Sequence, residues 1–180
     1  MEEQDAVEVQ AWLAAPDAST NHAFACELHQ PGTCTWLVHH DPYMRWKAGE
    51  TKHLWLNGKP GCGKSVLCSK VIEDLHLYRL DNGNVAITYF YFTFSEDRKQ
   101  SYDDMLLGLV AQLGENGPAR ATLRQLHERS KQTKLGTQEL QKIFISTVSA
   151  HDEVIVVLDA LDESPDPVGT PRELFKRLRD

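Results

Sequence analysis

The stretch Gly58-Lys59-Pro60-Gly61-Cys62-Gly63-Lys64-Ser65 has the spacing G-x-x-x-x-G-K-S. A short apolar run, His53-Leu54-Trp55-Leu56, stands before it and reads as a strand. After it, from Lys64 to Tyr78, Leu67, Val71 and Leu75 recur at helical spacing, as do Cys68 and Ile72. A glycine-rich turn between a strand and a helix has a physical use. Glycines let successive backbone N–H groups face inward as a nest, and the helix N-terminus adds unpaired donors and the positive end of a dipole. Phosphate oxygens fit such a cradle, with Lys64 reaching the β- and γ-phosphates and the Ser65 hydroxyl turned to Mg²⁺. Lys59, Pro60, Cys62 and Val66 would supply the rest of its backbone. The plain alternative is a glycine turn that matches by coincidence, and the flanking strand and helix argue against it.

Working outward, Asn84–Phe94 (NVAITYFYFTF) is β-branched and aromatic on both alternating faces, as in a strand covered on both sides. Three helical patterns follow, over Tyr102–Leu113, Ala119–Lys131 and Gln138–Ser149, the last with Thr137 as its expected cap. Val154–Leu158 is a second apolar strand, and Asp159 directly follows it. That puts a carboxylate at the carboxyl end of a buried strand, where open α/β sheets bind ligands. Asp162 and Glu163 add two acids within reach of the same metal and γ-phosphate, although a solvated acidic turn has the same composition. Thr170-Pro171-Arg172-Glu173 reads as a capping box with Pro at the first helical position. Strands joined by long helical crossovers predict an α/β fold with a parallel sheet and helices on both faces.

Composition narrows the function classes. The net charge of -7 is uneven: seven acids and no Lys or Arg precede Arg45, and the remainder balances. An acidic leader and a pI near 5.6 argue against general affinity for nucleic acid or anionic membranes. No apolar run approaches the ~20 residues that span a bilayer, and the acidic start is unlike a secretory or mitochondrial leader. Cys26, Cys34, Cys62 and Cys68 form no C-x-x-C pair and fit reduced thiols in a cytoplasmic setting. Residues 1–30 read as an acidic N-terminal arm packed loosely on a nucleotide-binding domain over 31–180.

KPGCGKS together with VIVVLDALDES resembles the NACHT-type nucleotide-binding module of STAND signalling ATPases, and more closely the nephrocystin-3-like N-terminal version found in large fungal proteins. The likeness extends to HQPGTCTWLVHHDPYMRWKAGETKHLWLNGKPGCGKSVL and to YFYFTFSEDRKQS, covering roughly residues 20–180. The resemblance implies a P-loop three-layer αβα parallel sheet. It implies a phosphate and magnesium site at Gly58, Gly61, Gly63, Lys64 and Ser65, with Asp159 as the Walker B acid. Asp162 and Glu163 would be the catalytic or signalling acids, and Gly32-Thr33 would lie near the nucleotide base. ATP or GTP with Mg²⁺ are the implied cofactors, and C-terminal repeat domains or self-association the implied partners. Such modules continue past Walker B with a sensor strand that sits between the P-loop strand and the Walker B strand. On that pattern the sheet is incomplete: the two strands pair directly, or the chain is a fragment, and the isolated chain is expected to be marginally stable and prone to aggregate.

Other signals have plainer explanations. His22, Cys26, His29 and Cys34 match none of the usual zinc spacings. Cys62 at a helix N-terminus suggests a redox switch, but a small filler residue is the favoured reading. Arg120, Arg124, Arg129, Lys131 and Lys134 include Glu128 among them and read as a solvated face. Tyr89, Phe90, Tyr91, Phe92 and Phe94 belong in a core rather than on a base-stacking surface. The leading function is a regulatory nucleotide-binding module with slow or absent hydrolysis. A small-substrate phosphotransferase and a nucleotide-independent interaction remnant are the alternatives. No N-K-x-D motif occurs, which favours ATP over GTP.

Overall fold

The structure, a computed structural model, describes residues 2–82, 85–115, 119–129 and 135–164. The expected helix start at Thr170-Pro171-Arg172-Glu173, like Lys131 and Lys134, lies outside them. The chain divides into two compact units, Ser19–Gly83 and Met1–Ala18 with Asn84–Asp180.

The discontinuous unit holds helix α1 (Glu2–Leu13), strand β1 (Val85–Tyr91), helices α6 (Tyr102–Glu115), α7 (Ala119–Arg129) and α8 (Thr137–Val148), and strand β2 (Glu153–Asp159). The strands pair in parallel, from Val85 opposite Glu153 to Tyr91 opposite Asp159. Parallel neighbours need a long crossover, and α6, α7 and α8 supply it. On one face Ala86 and Phe90 pack with Met105, Leu106 and Leu109 of α6 and Phe144 of α8. Burying a large side chain of this kind contributes about 1.5–3 kcal/mol. Close approach has a residue-level cause: a Cβ on Gly108 would lie 3.1 Å from the Phe90 ring. The buried Thr88 hydroxyl donates to the Leu109 carbonyl at 3.2 Å. The Gln112 amide accepts from the Tyr89 N–H at 3.0 Å and donates to the Tyr89 carbonyl at 2.8 Å. The opposite face carries Ile87, Tyr91, Ile155 and Asp159, all buried as well, as the two-sided apolar pattern predicts.

Three expectations need correction. The run His53–Leu56 is not a strand: 53–59 carry no regular secondary structure, and Trp55 is 72% exposed. Four residues gain strand stability only from a paired edge, and the sheet among the described residues contains β1 and β2 alone. β2, the strand expected to carry the Walker B acid, therefore pairs with β1 and not with a strand leading into the glycine loop. Segment 1–30 is not loosely attached throughout, because Val9 and Leu13 of α1 lie in the core and the Gln10 amide donates to the Ala111 carbonyl at 3.2 Å. Thr137 does not cap α8. Gly136 occupies the cap position, and the Thr137 hydroxyl donates to Asp103 Oδ2 at 3.0 Å.

The continuous unit holds α2 (Ser19–Glu27), α3 (Thr35–Val38), α4 (Asp41–Lys47) and α5 (Lys64–Asn82). Cys68, Val71, Ile72 and Leu75 are the buried positions of α5, one stripe at the predicted spacing. Tyr43 is fully buried. Its hydroxyl donates to Asp74 Oδ2 at 2.5 Å, and the Lys47 ammonium donates to the same oxygen at 2.7 Å. Burial, and then the hydrogen bond to the Asp74 carboxylate and its charge, push the Tyr43 phenol well above its ordinary range. No helix among the described residues is long and apolar enough to cross a membrane.

Candidate phosphate-binding loop and strand-end acids

The glycine loop is exposed and tightly folded. Gly61 and Gly63 have φ of 75° and 88°, the left-handed region that a Cβ makes costly by roughly 1–2 kcal/mol. The Cys62 N–H donates to the Lys59 carbonyl at 3.2 Å, closing the turn. A Cβ on Gly58 would sit 2.6 Å from Cys62 Sγ, so the closed loop leaves room at that position only for hydrogen. The first backbone bond of α5 runs from the Leu67 N–H to the Gly63 carbonyl at 2.9 Å. The amides of Lys64, Ser65 and Val66 precede it and have no intrahelical acceptor. The Lys64 ammonium folds back over the loop, donating to the carbonyls of Gly58 at 3.1 Å and Lys59 at 3.4 Å. Left-handed glycines, unsatisfied amides and an ammonium over the loop form a donor set that suits a polyphosphate.

Gly32 and Thr33 form a turn satisfied from within. Gly32 has φ 83°. The Thr33 hydroxyl donates to the Gln30 carbonyl at 2.6 Å, and the His29 ring donates to the Thr33 carbonyl at 3.1 Å.

In the other unit, Asp159 ends β2 and is 8% exposed. Its carbonyl accepts from the Phe92 N–H at 3.1 Å, and among the described residues no hydrogen bond or ion pair holds its carboxylate. A carboxylate at a strand end offers the hard oxygen ligands that a divalent cation prefers. Ala160 follows with φ 52°, a strained value for a residue with a Cβ. The chain then turns through a 3₁₀ segment, Leu161–Glu163. Asp162 is exposed, whereas Glu163 Oε2 accepts from the Phe94 N–H at 3.1 Å. The structure thus gathers Gly58 to Val66 in one unit and Asp159, Asp162 and Glu163 in the other.

Sequence reasoning missed the loop after β1. Lys99 is 4% exposed and pairs with Glu96 at 2.9 Å. The Gln100 amide donates to the Phe94 carbonyl at 3.0 Å, and the Ser164 hydroxyl donates to the Gln100 carbonyl at 3.4 Å. Periodicity carries no signal for such side-chain-to-backbone bonds. The remaining candidates resolve simply. His22 and Cys26 meet at 3.7 Å, but no group of three or more metal-ligating side chains exists among the described residues. Burial pushes the Cys26 thiol up and the His22 imidazole down. Arg124 pairs with Glu128 at 3.6 Å on an exposed face. Phe90, Tyr91 and Phe92 are core residues, while Phe94 is 65% exposed.

No curated protein and no solved structure matches the chain. One family model, described as nephrocystin 3, N-terminal, matches residues 32–180.

Proposed function

The chain belongs to the nephrocystin 3, N-terminal family, and from that premise we propose that it is a magnesium-nucleotide-binding regulatory module of the NACHT type. On this reading it is built on a P-loop three-layer αβα sheet, holds ATP, or GTP, and turns it over slowly or not at all. The observation that carries the reading is the Lys64 ammonium resting on the Gly58 and Lys59 carbonyls above a loop with two left-handed glycines. An ammonium so placed exchanges neutral carbonyls for charged phosphate oxygens, which are the stronger acceptors.

The amides of the loop and of the first turn of α5 would bind and orient the phosphates. Ser65 and Asp159 would supply the hard oxygen ligands that Mg²⁺ prefers. Asp162, exposed in the turn after β2, would orient water. A bound magnesium nucleotide supplies a γ-phosphoryl group open to in-line attack. Repeat domains or a second copy would transmit the nucleotide state in a cytoplasmic setting.

Titration calorimetry with ATP and GTP, with and without Mg²⁺, tests the reading on the wild type and Lys64→Ala. Removing the charged donor is expected to weaken magnesium-dependent binding about tenfold to a hundredfold. Equal affinities in the two proteins would sink it. Turnover seen only with an added phosphoryl acceptor would mark a phosphotransferase instead.

A further inference from the structure

We propose that Glu163 is a positioning residue that binds the loop after β1 to the turn after β2 and so fixes the direction of Asp159. The parallel ladder ends with the Phe92 N–H on the Asp159 carbonyl at 3.1 Å. Beyond that point β2 provides no further carbonyl, because Ala160 turns the chain away at φ 52°. The next amide facing the same side of an extended chain is two residues on, at Phe94. There the Glu163 side chain supplies the acceptor that the strand no longer offers, at 3.1 Å.

Two more bonds close the ring, from the Gln100 amide to the Phe94 carbonyl at 3.0 Å and from the Ser164 hydroxyl to the Gln100 carbonyl at 3.4 Å. Ser164 is 4% exposed, so the polar ring has a buried member. Its effect is to hold the strained Ala160 in place, and with it the carboxylate immediately before. The backbone amide holds one oxygen of the Glu163 carboxylate, whereas Asp162, exposed beside it, is the acid we assign to water. The nucleotide side of this assignment rests on the function proposed above, but the clasp itself does not.

Residue-resolved hydrogen exchange tests it on the whole chain, with the Phe90 amide of β1, which faces β2 as the Phe92 amide does, as the control for folding. In Glu163→Ala the Phe94 amide is expected to exchange at least about tenfold faster while Phe90 is unchanged. Glu163→Gln keeps an acceptor oxygen and should recover most of the protection. Unchanged Phe94 exchange in Glu163→Ala, or no recovery in Glu163→Gln, overturns the clasp whether or not the chain binds nucleotide. Loss of Phe90 protection in Glu163→Ala moves the decision to Glu163→Gln, where a Phe94 amide exchanging faster than in the wild type overturns it. Magnesium-dependent ATP hydrolysis then separates the roles. Positioning predicts rescue by Gln relative to Ala, whereas a Gln variant as inactive as Ala with Phe94 still protected would make Glu163 the reacting acid.

Discussion

The two units solve the same problem by different physics. The unit containing β1 and β2 is held by interdigitated apolar side chains, with Phe90, Phe144, Met105 and Leu109 each at zero exposure. The unit containing the glycine loop packs three short helices and the longer α5 around Tyr43, Ile72 and Leu75, and it is anchored by the polar cluster of Tyr43, Lys47 and Asp74. The Lys47 ammonium also lies over the Tyr43 and Tyr78 rings, 5.4 and 5.7 Å from their centroids. Apolar packing tolerates no lost volume, whereas a polar anchor depends on every partner staying in place.

The largest expected effect is in the apolar unit. Phe144→Ala should cost about 3–5 kcal/mol in denaturant unfolding followed by the fluorescence of Trp12, which packs against the His127 ring at 5.2 Å. A loss below about 1 kcal/mol would mean that this core is not the stabilising element. Tyr43→Phe is the matching test of the polar anchor. It keeps the ring but leaves Asp74 with Lys47 alone, and should cost about 1–3 kcal/mol, read at Trp46, 5.7 Å from the Tyr43 ring. If the two losses prove equal, the contrast between the units fails.

The smallest effect sharpens the contrast by pH. Burial lowers the imidazoles of both His22 and His76 below their ordinary value of 6.5, with His76 adding to the effect at His22 and Arg79 at His76. The folded unit then holds fewer protons than the unfolded chain. Its stability is fully present above 6.5 and declines as pH falls below that value. Unfolding followed at Trp46 between pH 7 and pH 5 should show the decline, and His22→Gln should reduce it. A flat profile would contradict the assignment.

What was legible in the sequence follows the same division. Periodicity located α5, α6, α8 and both strands closely, since β1 expected at 84–94 runs Val85–Tyr91 and β2 expected at 154–158 runs Glu153–Asp159. These elements bury a stripe or both faces, and burial writes a pattern. The glycine loop was legible because left-handed backbone at Gly61 and Gly63 restricts residue type. Helices α2, α3 and α4 were not, being short and only thinly buried, with Ala25, Leu37 and Tyr43 as their buried residues. His53–Leu56 misled because an apolar tetrad says nothing of whether a neighbour exists to pair with it. The bond from Phe94 to Glu163 joins residues 69 apart, a distance at which no local pattern operates.

The Gln112 amide has a consequence for growth of the sheet. By holding the N–H and the carbonyl of Tyr89 together, a side chain imitates one rung of a neighbouring backbone on the outer margin of β1. An incoming strand there would first have to evict it, so any enlargement of this two-stranded ribbon is steered toward the margin of β2, beside Asp159.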